Sequence, residues 1–310
     1  MKRFKGYYGL SARQKALDTV ARIAFGMLVL LVALAPSAQA AEEDIPPWAD
    51  AFAARIYEAW EAGEPMPQLS AAHPEATIAD GYAVQKLFVA RFAKKHDIGG
   101  FKAAAVSQAA QDNLGIDGPL TGIMPGSGIL KALENVVIDV ADYPNRHLET
   151  EIGYNFTEPI TETLPDVEAL REKINRVFAV VEVPGGATEE KNPSTPADTV
   201  AWNGNAKALI VGFKKLDPDD VDIDALAITL TRDGETINTA KGGDAAGGQM
   251  QTLLKSVNDI VKRGYPINPG MVLTNGALGK ILPAERGRYV ADYGPLGKIT
   301  FTVKDSRAAE

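Results

Sequence analysis

Three glutamates are the residues best able to do chemistry in this sequence. Glu149 and Glu151 sit one residue apart in the apolar run Leu148-Glu-Thr-Glu-Ile-Gly-Tyr-Asn-Phe156, and Glu182 lies near the end of Val177-Phe-Ala-Val-Val-Glu-Val183. Strand side chains alternate faces, so residues two apart point the same way, with origins roughly 7 Å apart. Carboxylates sharing an apolar-flanked face repel and are costly to desolvate unless a positive charge lies between them. An isolated Glu-x-Glu is usually a solvated strand face, but Glu182, behind a run of apolar residues, argues against that. A divalent cation between Glu149, Glu151 and Glu182 resolves the conflict. All-oxygen ligation suits Mg²⁺, Mn²⁺ or Ca²⁺ better than zinc.

Other candidates stand nearby in sequence. Lys102 is the one cation in Phe101-Lys-Ala-Ala-Ala-Val106, either a substrate contact or an ordinary surface lysine. Asn203 and Asn205 occupy a predicted turn, where Asn either serves the backbone or donates to a substrate carboxylate. His147 titrates nearest neutral pH, although its position after Tyr143-Pro-Asn-Arg146 reads as an exposed loop. The glycines of Thr274-Asn-Gly-Ala-Leu-Gly279 allow close backbone approach to a ligand. No nucleophile elbow, phosphate loop or nucleotide fingerprint is present. With no cysteine, thiol catalysis and disulfides are excluded.

Positioning these groups takes two kinds of element. From 46 to 96 the pattern is helical: Trp48, Phe52, Ile56 and Trp60 recur on one face as a core stripe. Glu64-Pro-Met-Pro67 breaks it, and Thr77 with Asp80 reads as the capping box of a second helix running to about Lys95. The Gly-, Ala- and Gln-rich stretch 99–128 reads as the connection carrying Lys102. Short strands follow at 136–140, 149–156, 177–183, 208–211, 227–232, 271–275 and 298–303. Helices are expected at 166–176 and 248–263, and a hairpin turn at Asp233-Gly234. Without βαβ alternation, a Rossmann fold or βα-barrel is excluded.

The first forty residues have the form of an export signal. Lys2, Arg3, Lys5, Arg13, Lys15 and Arg22 precede the thirteen apolar residues Ile23 to Ala35, and Ala38-Gln-Ala40 supplies a small-x-small cleavage site. Thirteen is short of the roughly 20 that span a bilayer. Cleavage after Ala40 removes six basic residues and one acid, taking the formal net charge from −8 to −13. So acidic a chain offers no basic stripe to nucleic acid and no attraction to anionic lipid. The expected location is the periplasm, with no membrane attachment after cleavage.

Read in order, the motifs resemble one family. Thr77-Ile-Ala-Asp-Gly-Tyr-Ala-Val-Gln85 is followed by Gly100-Phe-Lys102 and Gln111-Asp-Asn-Leu-Gly-Ile-Asp117. Then come Leu148-Glu-Thr-Glu-Ile152, Phe178-Ala-Val-Val-Glu182, Asp198-Thr-Val-Ala-Trp-Asn203 and Gly270-Met-Val-Leu-Thr-Asn-Gly-Ala-Leu278. From about residue 75 to 303 this succession is similar to that of the 2-keto-4-pentenoate hydratases, a branch of the fumarylacetoacetate hydrolase superfamily. The resemblance implies an α+β fold, a mixed rolled β-sandwich core with an N-terminal helical segment. It divides the chain into a signal peptide (1–40), a helical lid and connection (41–130) and a metal-binding, β-rich catalytic core (131–310).

It also implies roles: Glu149, Glu151 and Glu182 as ligands of Mg²⁺ or Mn²⁺, Lys102 as catalytic, and Asn203, Gly276, Ala277 and Leu278 as substrate contacts. The step this superfamily shares is enolisation of a 2-keto acid chelated through its carboxylate and keto oxygen. The expected activity is therefore a hydratase-like carbon–oxygen lyase, working through a metal-bound enolate. Its expected substrate is a small 2-keto or 2-hydroxydienoate acid, of the kind met in aromatic catabolism, and the expected assembly is a homo-oligomer.

The departures are as specific. Where the relatives read Glu-Ile-x-Asp-Ser-Arg, this chain has Glu182-Val-Pro-Gly-Gly186. Leu120 replaces an expected acid, and Trp202-Asn-Gly-Asn205 replaces Asp-Asn-Ala-Ser. These losses keep open a decarboxylase or tautomerase, and a non-enzymatic periplasmic binding protein of the same fold.

Overall fold

The computed structural model describes residues 45–133, 135–143, 147–186 and 193–309. The export signal expected at 1–40 lies outside the described residues, and among these no helix is long and apolar enough to cross a membrane. The N-terminal helices follow the sequence pattern. α1 (Ala49–Ala62) buries Phe52 and Ile56 and stops at Gly63, whose φ of +66° suits a left-handed C-cap. Trp48, just before α1, stacks on His73 with ring centroids 3.8 Å apart. α2 (Leu69–Ala72) is a single turn. α3 (Ile78–Phe92) opens with the expected capping box: Thr77 N donates to Asp80 Oδ2 at 2.7 Å, and Asp80 N to Thr77 Oγ1 at 3.2 Å.

The stretch 99–128, read from sequence as the connection carrying Lys102, has regular structure for which no strand or helix was expected. It holds β1 (Ile98–Ala104), α4 (Gln108–Leu114) and β2 (Leu120–Pro125), with β1 and β2 paired antiparallel and Lys102 opposite Gly122. After them come β3 (Ile129–Lys131), β4 (Val136–Asp139), β5 (His147–Phe156), α5 (Val167–Arg171) and β6 (Ile174–Val183). The helix expected at 166–176 is cut to α5 because Ile174 already enters β6. Next are α6 (Pro196–Ala201), β7 (Ala208–Leu216), β8 (Ala227–Arg232), β9 (Glu235–Lys241) and α7 (Gln249–Lys262). The chain ends in β10 (Val272–Thr274), β11 (Leu278–Pro283), β12 (Gly287–Asp292) and β13 (Lys298–Lys304). The β8–β9 turn falls at Asp233 and Gly234, with φ of +50° and +90°, as a primed hairpin turn requires.

Eight strands form one sheet in the order β2-β1-β10-β5-β6-β7-β3, with β11 also paired to β5; the other sheet runs β4-β13-β12-β8-β9. Strands from either side of residue 130 share the larger sheet, and Ile45–Glu310 make one compact unit. The alternation in β5 and β6 is what places the acids. Leu148, Ile152 and Tyr154 of β5 and Val177, Ala179 and Val181 of β6 join the core that Tyr289, Ile299 and Phe301 of the second sheet complete. Phe178 and Val180 face the other way, into a second apolar cluster with Met124, Leu209 and Val272. Both faces of β6 are thus buried, which accounts for its near-continuous apolar run. Glu182 shares the second face with Phe178 and Val180.

The helical layer is bolted down. Asp198 in α6 is buried and accepts from Ser70 N and Ser70 Oγ at 2.7 Å each, and from Thr195 N at 2.7 Å. These charge-assisted bonds fasten α2 to α6, and they hold the Asp198 pKa below its ordinary value despite burial. Arg263, just beyond α7, bonds Gln85 of α3, Thr121 of β2 and Asp259 of α7.

Candidate active site

Glu149 lies directly opposite Glu182 in the β5–β6 register, and Glu151 opposite Val180. All three acids are buried, and each offers a carboxylate oxygen within 4.8 Å of the other two. Tyr293 pins the two strands together here: its hydroxyl accepts from Glu151 N at 3.2 Å and donates to the Val180 carbonyl. Gly276 N donates to Glu151 Oε2 at 3.3 Å. Glu151 Oε1 and Glu182 Oε1 have no hydrogen-bond partner at all. Buried oxygens left this way call for an explanation, and a hard cation fits an all-carboxylate set of this kind.

Lys102 reaches the same place from β1. Its Nζ lies 3.0 Å from Glu182 Oε2 and donates to the Gly204 carbonyl at 3.2 Å. In a flat sheet, strands three places apart would be separated by roughly 14 Å, more than the two side chains bridge. The sheet therefore curls around the site. Lys102 is buried rather than a surface lysine.

Electrostatics follow from this burial. Glu149 is pushed up to about 7, first by desolvation and then by the charge of Glu182, against the pull of Lys102. Desolvation likewise raises Glu151, and raises Glu182 well above its ordinary value although Lys102 pulls the other way. Desolvation also works against the Lys102 ammonium. The charges of Glu182, Glu149 and Glu151 outweigh it and hold that pKa above the ordinary value.

A cavity of about 670 Å³ opens on Lys102 and Glu149. His147, expected in an exposed loop, is the first residue of β5, lines this cavity and is half-buried, which lowers its pKa. Asn203 does not line it. Its Oδ1 accepts from Ile123 N and its Nδ2 donates to Ile123 O, both at 2.8 Å, so the amide is spent on β2. Asn205 takes the place on the cavity wall, with a buried Oδ1 that has no partner. Asn203, Gly204 and Asn205 all have left-handed φ, from +55° to +60°. No sequence signal reveals that such a backbone turns the second Asn, rather than the first, toward the cavity. A Cβ at Gly186 would meet Asn205 Oδ1 at 1.8 Å, so the missing side chain there makes the room.

In the 276–278 loop only Ala277 lines the cavity. Gly276, at φ +82°, acts on Glu151, and a Cβ there would come within 2.4 Å of Val106. Leu278 is buried in the core, and its carbonyl accepts from Thr150 Oγ1 at 2.9 Å and Asn238 Nδ2 at 3.2 Å.

No family model matches the chain. It is nonetheless related in sequence to 2-keto-4-pentenoate hydratases. One from Paraburkholderia xenovorans is 23% identical over 233 residues, covering 75% of this chain and 86% of the relative. Another, from Burkholderia vietnamiensis, is 26% identical over 255 residues, covering 81% and 96%. Among solved structures, 4-oxalocrotonate decarboxylase from Pseudomonas putida, complexed with magnesium and adipate, superposes with a TM-score of 0.77. It is 22% identical and covers 83% of this chain and 97% of that one. The chain has the rolled α+β fold expected of the fumarylacetoacetate hydrolase superfamily and resembles its 2-keto-4-pentenoate hydratase branch.

Proposed function

We propose that this protein is a divalent-metal-dependent, hydratase-like lyase that acts on a small 2-keto or 2-hydroxydienoate acid through an enolate. The observation that carries this is the set of three buried carboxylates, two of them (Glu151 and Glu182) with unpartnered oxygens, beside a buried lysine and a cavity of ligand size. Glu149, Glu151 and Glu182 would hold Mg²⁺ or Mn²⁺. When bound, the ion supplies a Lewis acid for a keto oxygen. Lys102 is held protonated by the carboxylates around it, so it serves as a fixed cation and donor for developing oxyanion charge, not as a base. His147 and Asp244 on the wall are able to accept a proton from carbon. Asn205 is placed to bond a substrate oxygen.

Decarboxylation or tautomerisation is a second reading, favoured by Leu120 and by Gly185-Gly186 standing where the relatives carry polar groups. Neither reaction needs a positioned water. Exchange of the C3 protons of 2-oxopentanoate with deuterium, followed by NMR, tests the step common to both. Exchange should appear only with Mg²⁺ or Mn²⁺ added. Protein that binds both ion and oxalate yet exchanges no 2-keto acid would be a binding protein instead.

Export and self-assembly belong to the same proposal. N-terminal sequencing of periplasmic protein should begin at Ala41, and Met1 on soluble cytoplasmic protein would overturn export. Sedimentation should return a homo-oligomer.

A further inference from the structure

One fully buried amide ties together two segments that border the acids. Gln249 is the first residue of α7. Its Oε1 accepts from the Tyr154 hydroxyl and from Asn275 Nδ2, both at 3.0 Å, and its Nε2 donates to the Gly242 carbonyl at 2.7 Å. Its backbone is held too: the N–H donates to Asp224 Oδ1 at 2.8 Å, and the carbonyl accepts from Asn275 Nδ2 at 2.9 Å. A buried amide costs free energy unless its polar atoms are paired. Leucine would fill similar space with nothing to pair, so packing of α7 alone does not call for glutamine here.

Both segments lead to the site. Asn275 N donates to the Ile152 carbonyl at 3.1 Å, and the next amide, Gly276 N, is the backbone donor to Glu151 Oε2. Beyond it Ala277, Gly279 and Ile281 line the cavity. The turn Gly242–Asp244 carries Asp244 onto the cavity wall. Tyr154 fastens the amide to β5, the strand of Glu149 and Glu151. Gln249 does not itself line that cavity, so it acts through these neighbours.

We propose that Gln249 is a positioning residue for the metal site: its side chain sets how the 275–277 loop and the 242–244 turn stand against β5, and so where Gly276 N holds the Glu151 carboxylate. This rests on the reading of Glu149, Glu151 and Glu182 as cation ligands.

Calorimetry with Mn²⁺ on the full mature protein tests it. Gln249→Leu should weaken Mn²⁺ binding by about tenfold or more, the usual cost of losing a group that orients a ligand. Gln249→Glu should restore it at pH 6, because a protonated carboxyl accepts from Tyr154 and Asn275 and donates to Gly242 as the amide does. Relative to wild type at the same pH, that rescue should fade by pH 8, as the carboxyl ionises beside Asp224 and loses its donor. Leu253→Ala, a core truncation in the same helix, should lower the melting temperature and leave Mn²⁺ affinity unchanged. Wild-type affinity in Gln249→Leu, no rescue in Gln249→Glu at pH 6, or equal weakening in Leu253→Ala would each overturn the inference. If Gln249→Leu does not fold, Gln249→Glu decides alone, and a ratio to wild type that is the same at pH 6 and pH 8 overturns it. Wild-type protein that binds no Mn²⁺ would sink the metal-site reading itself, and this inference with it.

Discussion

Lys102→Met is expected to slow C3 exchange of 2-oxopentanoate by roughly 10²-fold or more, the span usual for a positioned acid or base group. Divalent-cation binding should stay as tight as in the wild type or become tighter. The two readouts separate because of the 3.0 Å contact with Glu182. Removing the ammonium takes a positive charge away from the three carboxylates, so a dication meets a more negative site. The same removal takes away the donor for developing negative charge. Glu182→Gln should do the reverse first: cation affinity falls by at least about tenfold, and exchange falls with it. Calorimetry for binding and NMR for exchange give the comparison. A Lys102→Met protein that exchanges at the wild-type rate would reduce Lys102 to a structural counter-ion.

Stability should depend on pH in a way that a bound cation reverses. Glu149 sits at about 7 in the folded protein against 4.5 for the free side chain, and Glu151 and Glu182 are raised as well. A carboxyl with a raised folded pKa stabilises the fold fully below its unfolded value and loses that contribution as pH rises through its folded value. Metal-free protein should therefore lose melting temperature between pH 5 and pH 8, with Glu149 alone worth roughly 3 kcal/mol at most. Groups with depressed values, such as Asp198, Glu61 and Asp139, have already delivered their stability above pH 5. His147, lowered by burial, opposes the trend near pH 6, so His147→Gln should steepen it. Mn²⁺ should raise the melting temperature more at pH 8 than at pH 5.5. A cation-induced shift of equal size at both values would mean that these carboxyls do not hold protons in the metal-free fold.

The acids were legible because they depend on one number. Period-two alternation puts 149 and 151 on one face, and an apolar run puts 182 in a buried strand, whatever the rest of the chain does. The capping box at Thr77 and the Asp233-Gly234 turn are equally local. What could not be read depends on long-range pairing. β1 and β2 hide in a Gly- and Ala-rich stretch of low strand propensity, and only their partners make them strands. One glycine there shows why: a Cβ at Gly100 would lie 1.8 Å from the Val272 carbonyl oxygen, so the small residue that weakens the local signal is what lets β10 approach. β9 and β12 show charged and polar residues along their length and lack the apolar runs that marked β5 and β6. Asn203 and Asn205 differ only in which way a left-handed backbone turns them.

The fastening of the helical layer decides what light can report about this protein. Its three tryptophans all lie in or against that layer. Trp48 stacks on His73, Trp60 packs edge-on to Phe92 at 5.4 Å, and Trp202 donates to the Pro67 carbonyl at 2.8 Å. None of them lines the cavity beside Glu149. Intrinsic emission is thus a gauge of whether the helices remain docked and a poor gauge of occupancy. A titration followed by tryptophan fluorescence would return a flat line for a ligand that binds well. An environment-sensitive dye on a cysteine placed at Ile281, in a chain with no other thiol, would register the same event.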